Sequence, residues 1–411
     1  MVGRSIALVA LAGMISTASA AELPVPPVAP SGPHADILFN QEIRYFSWTG
    51  TRGYPAPGIA STARGSGWQL YTPATLQATT SQPDLFKFEF VGRGGYVVSK
   101  QATVGATGSV SSLTDTVTSA TWTYLGMPGL QPFISANANL PTGRSFLSIG
   151  EAFARMDPDL VDIATFGEGW NFGGTVGVNV PISQNAVVSF GAGHTWRGEY
   201  DRDDPSGVVS LVRIEPGDVT SFNASAVWRS GPFGAQISGT YAREGSSSFN
   251  GVPAFQLGDR FIIAGSGSFV WNDDSISILS ASWTHTDKNR TINPPAILFP
   301  ITEAFNSNSN VVRVRFEHAF RAGAWSAGPI VSWLHRDNNA YSPTALQFVA
   351  AKTRWAAGGV ARYSVNDKTL LYASIERVWI DEGARPASVP FPAPDLSYRG
   401  WVVTGGGTVR F

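Results

Sequence analysis

Along most of this chain apolar and polar residues alternate with a period of two. In the last stretch Trp401, Val403, Val409 and Phe411 fall on one face, and Thr404, Thr408 and Arg410 on the other. The pattern recurs upstream. Phe86, Phe88 and Phe90 oppose Lys87 and Glu89, and Val312, Val314, Phe316 and Phe320 oppose Arg313, Arg315 and Glu317. Trp355 and Tyr363 oppose Arg354 and Arg362, and Ile375 and Trp379 oppose Glu376. Such alternation marks strands with two unlike faces. From Ile37 onward it resolves into about 16 segments long enough to cross a bilayer at a tilt, with about 14 as the alternative count.

The connections alternate as well. Short turns fall at Ser81–Asp84, Gly126–Gln131, Ser183–Asn185, Ser230–Pro232, Asn272–Asp274, Arg321–Gly323 and Asn366–Asp367. Longer polar segments lie between them, at Tyr200–Gly217, Gly245–Gly258, Lys288–Asn308, Asp337–Gln347 and Asp381–Leu396. Counted back from Phe411, all short turns share one end and all long segments the other. The expected fold is an all-β transmembrane antiparallel β-barrel with short periplasmic turns and long extracellular loops. Lipid-facing Arg or Lys at the bilayer midplane would cost about 2–4 kcal/mol, so the charged faces are assigned to the lumen. That gives a lumen set of Lys87, Glu89, Arg313, Arg315, Glu317, Arg354, Arg362 and Glu376. Cations prevail in it, which implies a weak preference for anions. The alternative is that these charges pair across neighbouring strands and only stiffen the wall. Trp196, Trp228, Trp271, Trp283, Trp325, Trp379 and Trp401 are candidates for the aromatic girdles at the membrane interfaces.

Residues 1–20 combine Arg4, an apolar run from Ile6 to Ile15 and small residues at Ala18–Ala20, the pattern of a secretory signal. Residues 21–36 are rich in proline and read as a periplasmic leader; 37–411 is the barrel. No other apolar run reaches the roughly 20 residues of a spanning helix. The charged fraction is 14%, against about 25% for an ordinary soluble domain. The chain has no cysteine, which removes disulfides and thiolate chemistry. A net charge of -1 offers nothing to nucleic acid. These features place the protein in the outer membrane of a Gram-negative bacterium, in contact with lipid and small solutes, with a homotrimer one assembly open to it. No cofactor or metal is expected, since Arg202 interrupts the acids Asp201, Asp203 and Asp204. Catalysis is not expected either: His194, His285, His318 and His335 are scattered singly, although His285 and His335 have Asp287 and Asp337 nearby.

The longest loop, 141–170, departs from the pattern. Phe146, Ile149, Phe153 and Met156 recur at helical spacing, and Asp157–Pro158 ends the run. The loop carries Glu151, Asp157, Asp159, Asp162 and Glu168 against Arg144 and Arg155. It is either an outer cap or a constriction folded into the barrel, where its acids would face Arg313, Arg315 and Arg354 and set solute selectivity.

The stretch Ser112–Thr116, a strand to Tyr124, a short turn, and a strand ending Asn139–Gly143 together resemble the outer-membrane channels associated with meta-pathway phenol degradation. The resemblance implies a barrel that admits small, often hydrophobic compounds. The terminal aromatic is similar to the signal read by outer-membrane insertion machinery, which implies a role for Phe411 in assembly. The expected function is a passive, porin-like channel for small molecules, with loop 141–170 as constriction or gate. The alternative is a non-conducting anchoring barrel with a periplasmic or surface partner.

Overall fold

The computed structural model describes residues 33–51, 64–103, 106–127, 129–148, 151, 154, 167–202, 212–291, 301–345, 348–384 and 395–411. The segments read as signal peptide and as most of the leader lie outside these. The wall begins with β1 (His34–Thr51), β2 (Arg64–Gln82), β3 (Phe86–Thr103), β4 (Ala106–Leu113) and β5 (Thr116–Tyr124). It continues with β6 (Gln131–Leu140), β7 (Asn171–Ser183) and β8 (Ala186–Arg197). Beyond the short strands β9 (Tyr200–Arg202) and β10 (Val212–Glu215) come the wall strands β11 (Val219–Ser230) and β12 (Phe233–Glu244). Short β13 (Ser247–Phe249) and β14 (Val252–Gln256) precede β15 (Arg260–Asn272) and β16 (Ser275–Thr286). Short β17 (Arg290–Thr291) and β18 (Ile301–Thr302) precede β19 (Val311–Ala322) and β20 (Trp325–Arg336). The wall ends with β21 (Lys352–Asn366), β22 (Thr369–Glu382) and β23 (Leu396–Arg410). Neighbouring wall strands pair antiparallel around the ring, and β23 closes it onto β1. The six short strands form a separate sheet among the long loops.

The ring has 16 positions, as the alternation predicted. It contains seventeen strands because β4 and β5 share one position. β4 pairs with Tyr96–Thr103 of β3 and β5 with Phe86–Arg93, so the two are halves of one strand broken at Thr114–Asp115. β1 starts at His34, slightly before the expected Ile37. The short turns lie where expected; two are made by a left-handed Asp84 (φ 59°) and Gly323 (φ 60°), conformations that a short polar side chain or none tolerates.

The faces separate as the period of two demands. Phe88, Phe190, Phe222, Ile237, Leu279, Phe316, Ile375 and Val403 project outward and are exposed. Two aromatic rings bound this belt: Trp228, Trp271, Trp325 and Phe320 near the short turns, and Trp196, Trp283, Trp355, Trp379 and Trp401 toward the long loops. A closed antiparallel barrel with an outward apolar band between aromatic girdles is the architecture of the bacterial outer membrane. Pro73 stands in the interior of β2, where it cannot donate to the ladder. The side-chain amide of Gln41 mends the seam by donating to the carbonyls of Pro73 (3.0 Å) and Glu42 (3.3 Å).

Candidate functional site: the lumen and its loop

All eight residues assigned to the lumen occupy inward register positions. On β3 Lys87 Nζ lies 2.8 Å from Glu89. Arg362 of β21 donates to Glu317 of β19, reaching across β20, and both side chains are at least 94% buried. Arg315 of β19 lies 3.7 Å from Glu376 of β22. Arg313 and Arg354 share this face and are also engaged. Buried charges must be paired to be tolerated, and two of these pairs reach over intervening strands. Among the described residues Arg362 Nε and Nη2 and Glu376 Oε2 nonetheless have no hydrogen-bond partner, which leaves donor and acceptor capacity on the inner wall.

Sequence reasoning missed inward charges on the first strand. Arg44 Nε binds Glu42 at 2.6 Å, and Tyr372 donates to Asn40 at 3.2 Å beside them. Near the long loops Arg197 meets Glu244 (3.1 Å), while Arg336 (3.5 Å) and Lys352 (3.6 Å) share Glu382. The alternation of Asn40, Glu42 and Arg44 against Gln41, Ile43 and Tyr45 was the available signal; an exposed outward glutamine, Gln41, obscured it.

From β5 to β16 the inner wall is different. Thr121 donates to Ser135 (3.0 Å), Ser189 to Asn179 (2.7 Å) and Thr240 to Asn223 (2.8 Å). Toward the extracellular end of β1 and β21–β23 the inward face turns apolar. Phe46, Trp48, Ala356, Val378, Ile380 and Tyr398 form one buried cluster there.

The described part of the long loop enters the barrel. Leu147 and Ala154 pack in a buried cluster with Tyr71, Val97 and Val110, inward residues of β2, β3 and β4. Ser99, also inward, donates to the Ala154 carbonyl at 2.5 Å. Of the expected helix the described residues keep one turn, with Ala154 N bonded to Glu151 O at 2.9 Å. Ser148 begins it as a capping residue: Glu151 accepts from the Ser148 backbone N–H (3.0 Å) and hydroxyl (2.9 Å). Arg144 grips the same carboxylate through two nitrogens, at 2.7 and 3.0 Å. That guanidinium holds the Glu151 carboxyl below the usual carboxylate range, helped by the Ser148 bonds against some desolvation. Asp157, Asp159 and Asp162 lie outside the described residues.

The neck of the loop is tied by one residue not singled out from sequence. The Asp115 carboxylate accepts from Gly143 N (3.0 Å), Glu168 N (2.7 Å) and the Asn139 amide (2.7 Å), so it clamps both ends of the loop. Thr142 and Arg144 add bonds to Thr114 O (2.8 Å) and Ser112 Oγ (3.1 Å). Ser112–Thr116 and Asn139–Gly143, the stretches that carried the family resemblance, are therefore the two sides of this clamp.

The barrel histidines face outward. His285 lies between Asn310 (2.7 Å) and Asp287 (3.1 Å), and His335 between Thr353 (2.9 Å) and Asp337 (3.2 Å). Both have their acid, so a missing acid does not argue against catalysis. Thr353, the hydroxyl partner of His335, is in ladder register with strands on both sides. Among the described residues no three metal-ligating side chains cluster, and no helix is long and apolar enough to cross a membrane.

No family model matches the chain, and no curated protein matches it. Solved structures similar to this chain include a deletion mutant of the monoaromatic hydrocarbon channel TodX (10% identity, 93% of this chain and 91% of that one, TM-score 0.42). A bacterial polysaccharide outer membrane secretin follows (12%, 90% and 98%, TM-score 0.38). A triple mutant of the Rhodopseudomonas blastica porin is also similar (13%, 91% and 100%, TM-score 0.33). At these identities and TM-scores the likenesses carry no functional inference.

Proposed function

We propose that this chain is a passive channel of a bacterial outer membrane, admitting small solutes with a bias toward anions. The observation that carries the reading is a closed ring of 16 wall positions with a polar inner face. A barrel of about 16 strands is wider than its own side chains can fill. Loop 141–170 is its constriction: its described residues Leu147 and Ala154 pack on the inner face of β2–β4, Asp115 fastens its neck, and it narrows the lumen. Inward cations outnumber carboxylates in the predicted set, and the pairs Arg44–Glu42 and Arg197–Glu244 leave that balance unchanged.

Single-channel recording in planar bilayers under a salt gradient tests this. Stable steps with an anion-selective reversal potential are expected, and removal of the segment between Gly150 and Gly167 is expected to enlarge them. Unaltered steps would return the loop to the role of an outer cap. The buried cluster of Phe46, Trp48, Val378, Ile380 and Tyr398 favours a second reading, a plugged barrel that anchors a partner. Electrical silence of folded protein would select it.

A further inference from the structure

Charge on the outer wall should be rare, yet cations gather on one stretch of it. Arg377 of β22, Arg399 of β23 and Lys100 of β3 all occupy outward positions, flanked by buried inward neighbours such as Glu376, Val378, Tyr398 and Ser99. None has a carboxylate within ion-pair distance among the described residues.

Two of the three end a single row across five strands. Ladder register places Arg377 beside Trp401, Trp401 beside Ser47, Ser47 beside Trp68, and Trp68 beside Lys100. Each terminal cation lies over the neighbouring indole: Arg377 Cζ is 5.0 Å from the Trp401 ring centre and Lys100 Nζ 5.8 Å from that of Trp68. Ser47 puts a hydroxyl between the indoles, and Arg399 sits one outward position from Trp401, in register with Thr49. Four strand spacings of about 4.8 Å make the row about 19 Å long. It lies toward the long-loop ends of its strands, where an outer leaflet would present its headgroups.

We propose that this row binds the phosphorylated headgroup of an outer-leaflet glycolipid. Aromatic faces hold the cations flat against the wall, which limits their loss of freedom on binding. Guanidinium and ammonium groups then offer charge-assisted hydrogen bonds to phosphate, with apolar wall below for the acyl chains. The long-loop ends between β12 and β21 are unsuited to the same ligand. Asp259, Asp287 and Asp337 stand there, bonded to Tyr241, His285 and His335. The proposal rests on outer-membrane placement and not on conduction.

The test uses the full chain in phosphatidylcholine nanodiscs, doped with a bis-phosphorylated glycolipid or with the same lipid dephosphorylated, and reads bound glycolipid by native mass spectrometry. Retention of the phosphorylated form is expected to be about tenfold higher. The combined variant Arg377→Gln, Lys100→Gln, Arg399→Gln should abolish the difference, and Arg377→Lys with Arg399→Lys should keep most of it. Equal retention of the two lipids by the unaltered protein overturns the proposal without recourse to any variant. Displacement by low-millimolar inorganic phosphate would make the row a free-anion site and overturn the lipid assignment. Conductance of the triple variant should not change, since none of the three residues faces the lumen.

Discussion

The inner wall is made of two unlike arcs. From β5 to β16 it is neutral between the rims, and its hydroxyls and amides pair between adjacent strands, as in Thr121–Ser135 and Thr240–Asn223. From β19 round to β3 it is charged, and two of its ion pairs skip strands: Arg362 passes over β20 to Glu317, and Arg315 passes over β20 and β21 to Glu376. Short polar side chains satisfy themselves with the nearest neighbour. Long ionic ones lie along the wall, where small residues such as Ser326 and Gly328 on β20 leave them room. The same two-residue alternation thus yields a thin, slippery arc and a thick, electrostatically structured one.

The contrast is most sharply tested by stability. Glu317→Ala would strand Arg362 in a buried site and is expected to cost about 3–5 kcal/mol, against about 1 kcal/mol for Thr240→Ala. Equilibrium urea unfolding in lipid vesicles reads both, and equal costs would dissolve the distinction. Function should separate the arcs too. Arg313→Glu with Arg315→Glu is expected to move the reversal potential toward cations by a several-fold change in permeability ratio, while Ser189→Ala leaves it unmoved. A smaller effect is expected at the loop neck, where Asp115→Ala removes the acceptor for three donors. The loop should then open at a local cost of about 1–3 kcal/mol, read as faster proteolysis between Arg144 and Glu168 with the wall strands protected.

The smallest effect is one of pH. Because Arg144 lowers the Glu151 carboxyl, its contribution is present above the unfolded-state value of about 4.3 and fades as pH falls through the lower folded one. Open-channel noise should therefore be flat from pH 7 to 5 and rise only in more acidic solution. Glu151→Gln should show the raised noise at every pH.

Which residues face inward was legible from sequence because alternation is local. Phe316 and Phe320 could not share a face with Arg315 and Glu317, and the turns fixed which end of each strand was which. The partners were not legible. Glu317 and Arg362 are 45 positions apart, and their meeting depends on register and on the width of what lies between. Asp115 was hidden for a related reason, since its three donors come from distant backbone and an amide. The rule that charge points inward fails at Arg377 and Lys100, where an indole face beneath the cation makes an outward position tolerable near the girdle.

Closure of the ring has a consequence for how the chain reaches its form. β1 meets β23 over register positions running from Leu38–Arg410 to Gly50–Tyr398, and Phe411 N bonds Ile37 O at 2.9 Å. These are the most sequence-distant pairings in the wall, so the entropy of bringing the two ends together is met last and by the largest loop. Until then the nascent sheet carries two raw edges, each a template for another chain. A chain shortened by its last strand would keep all its other hairpins and still have no inside.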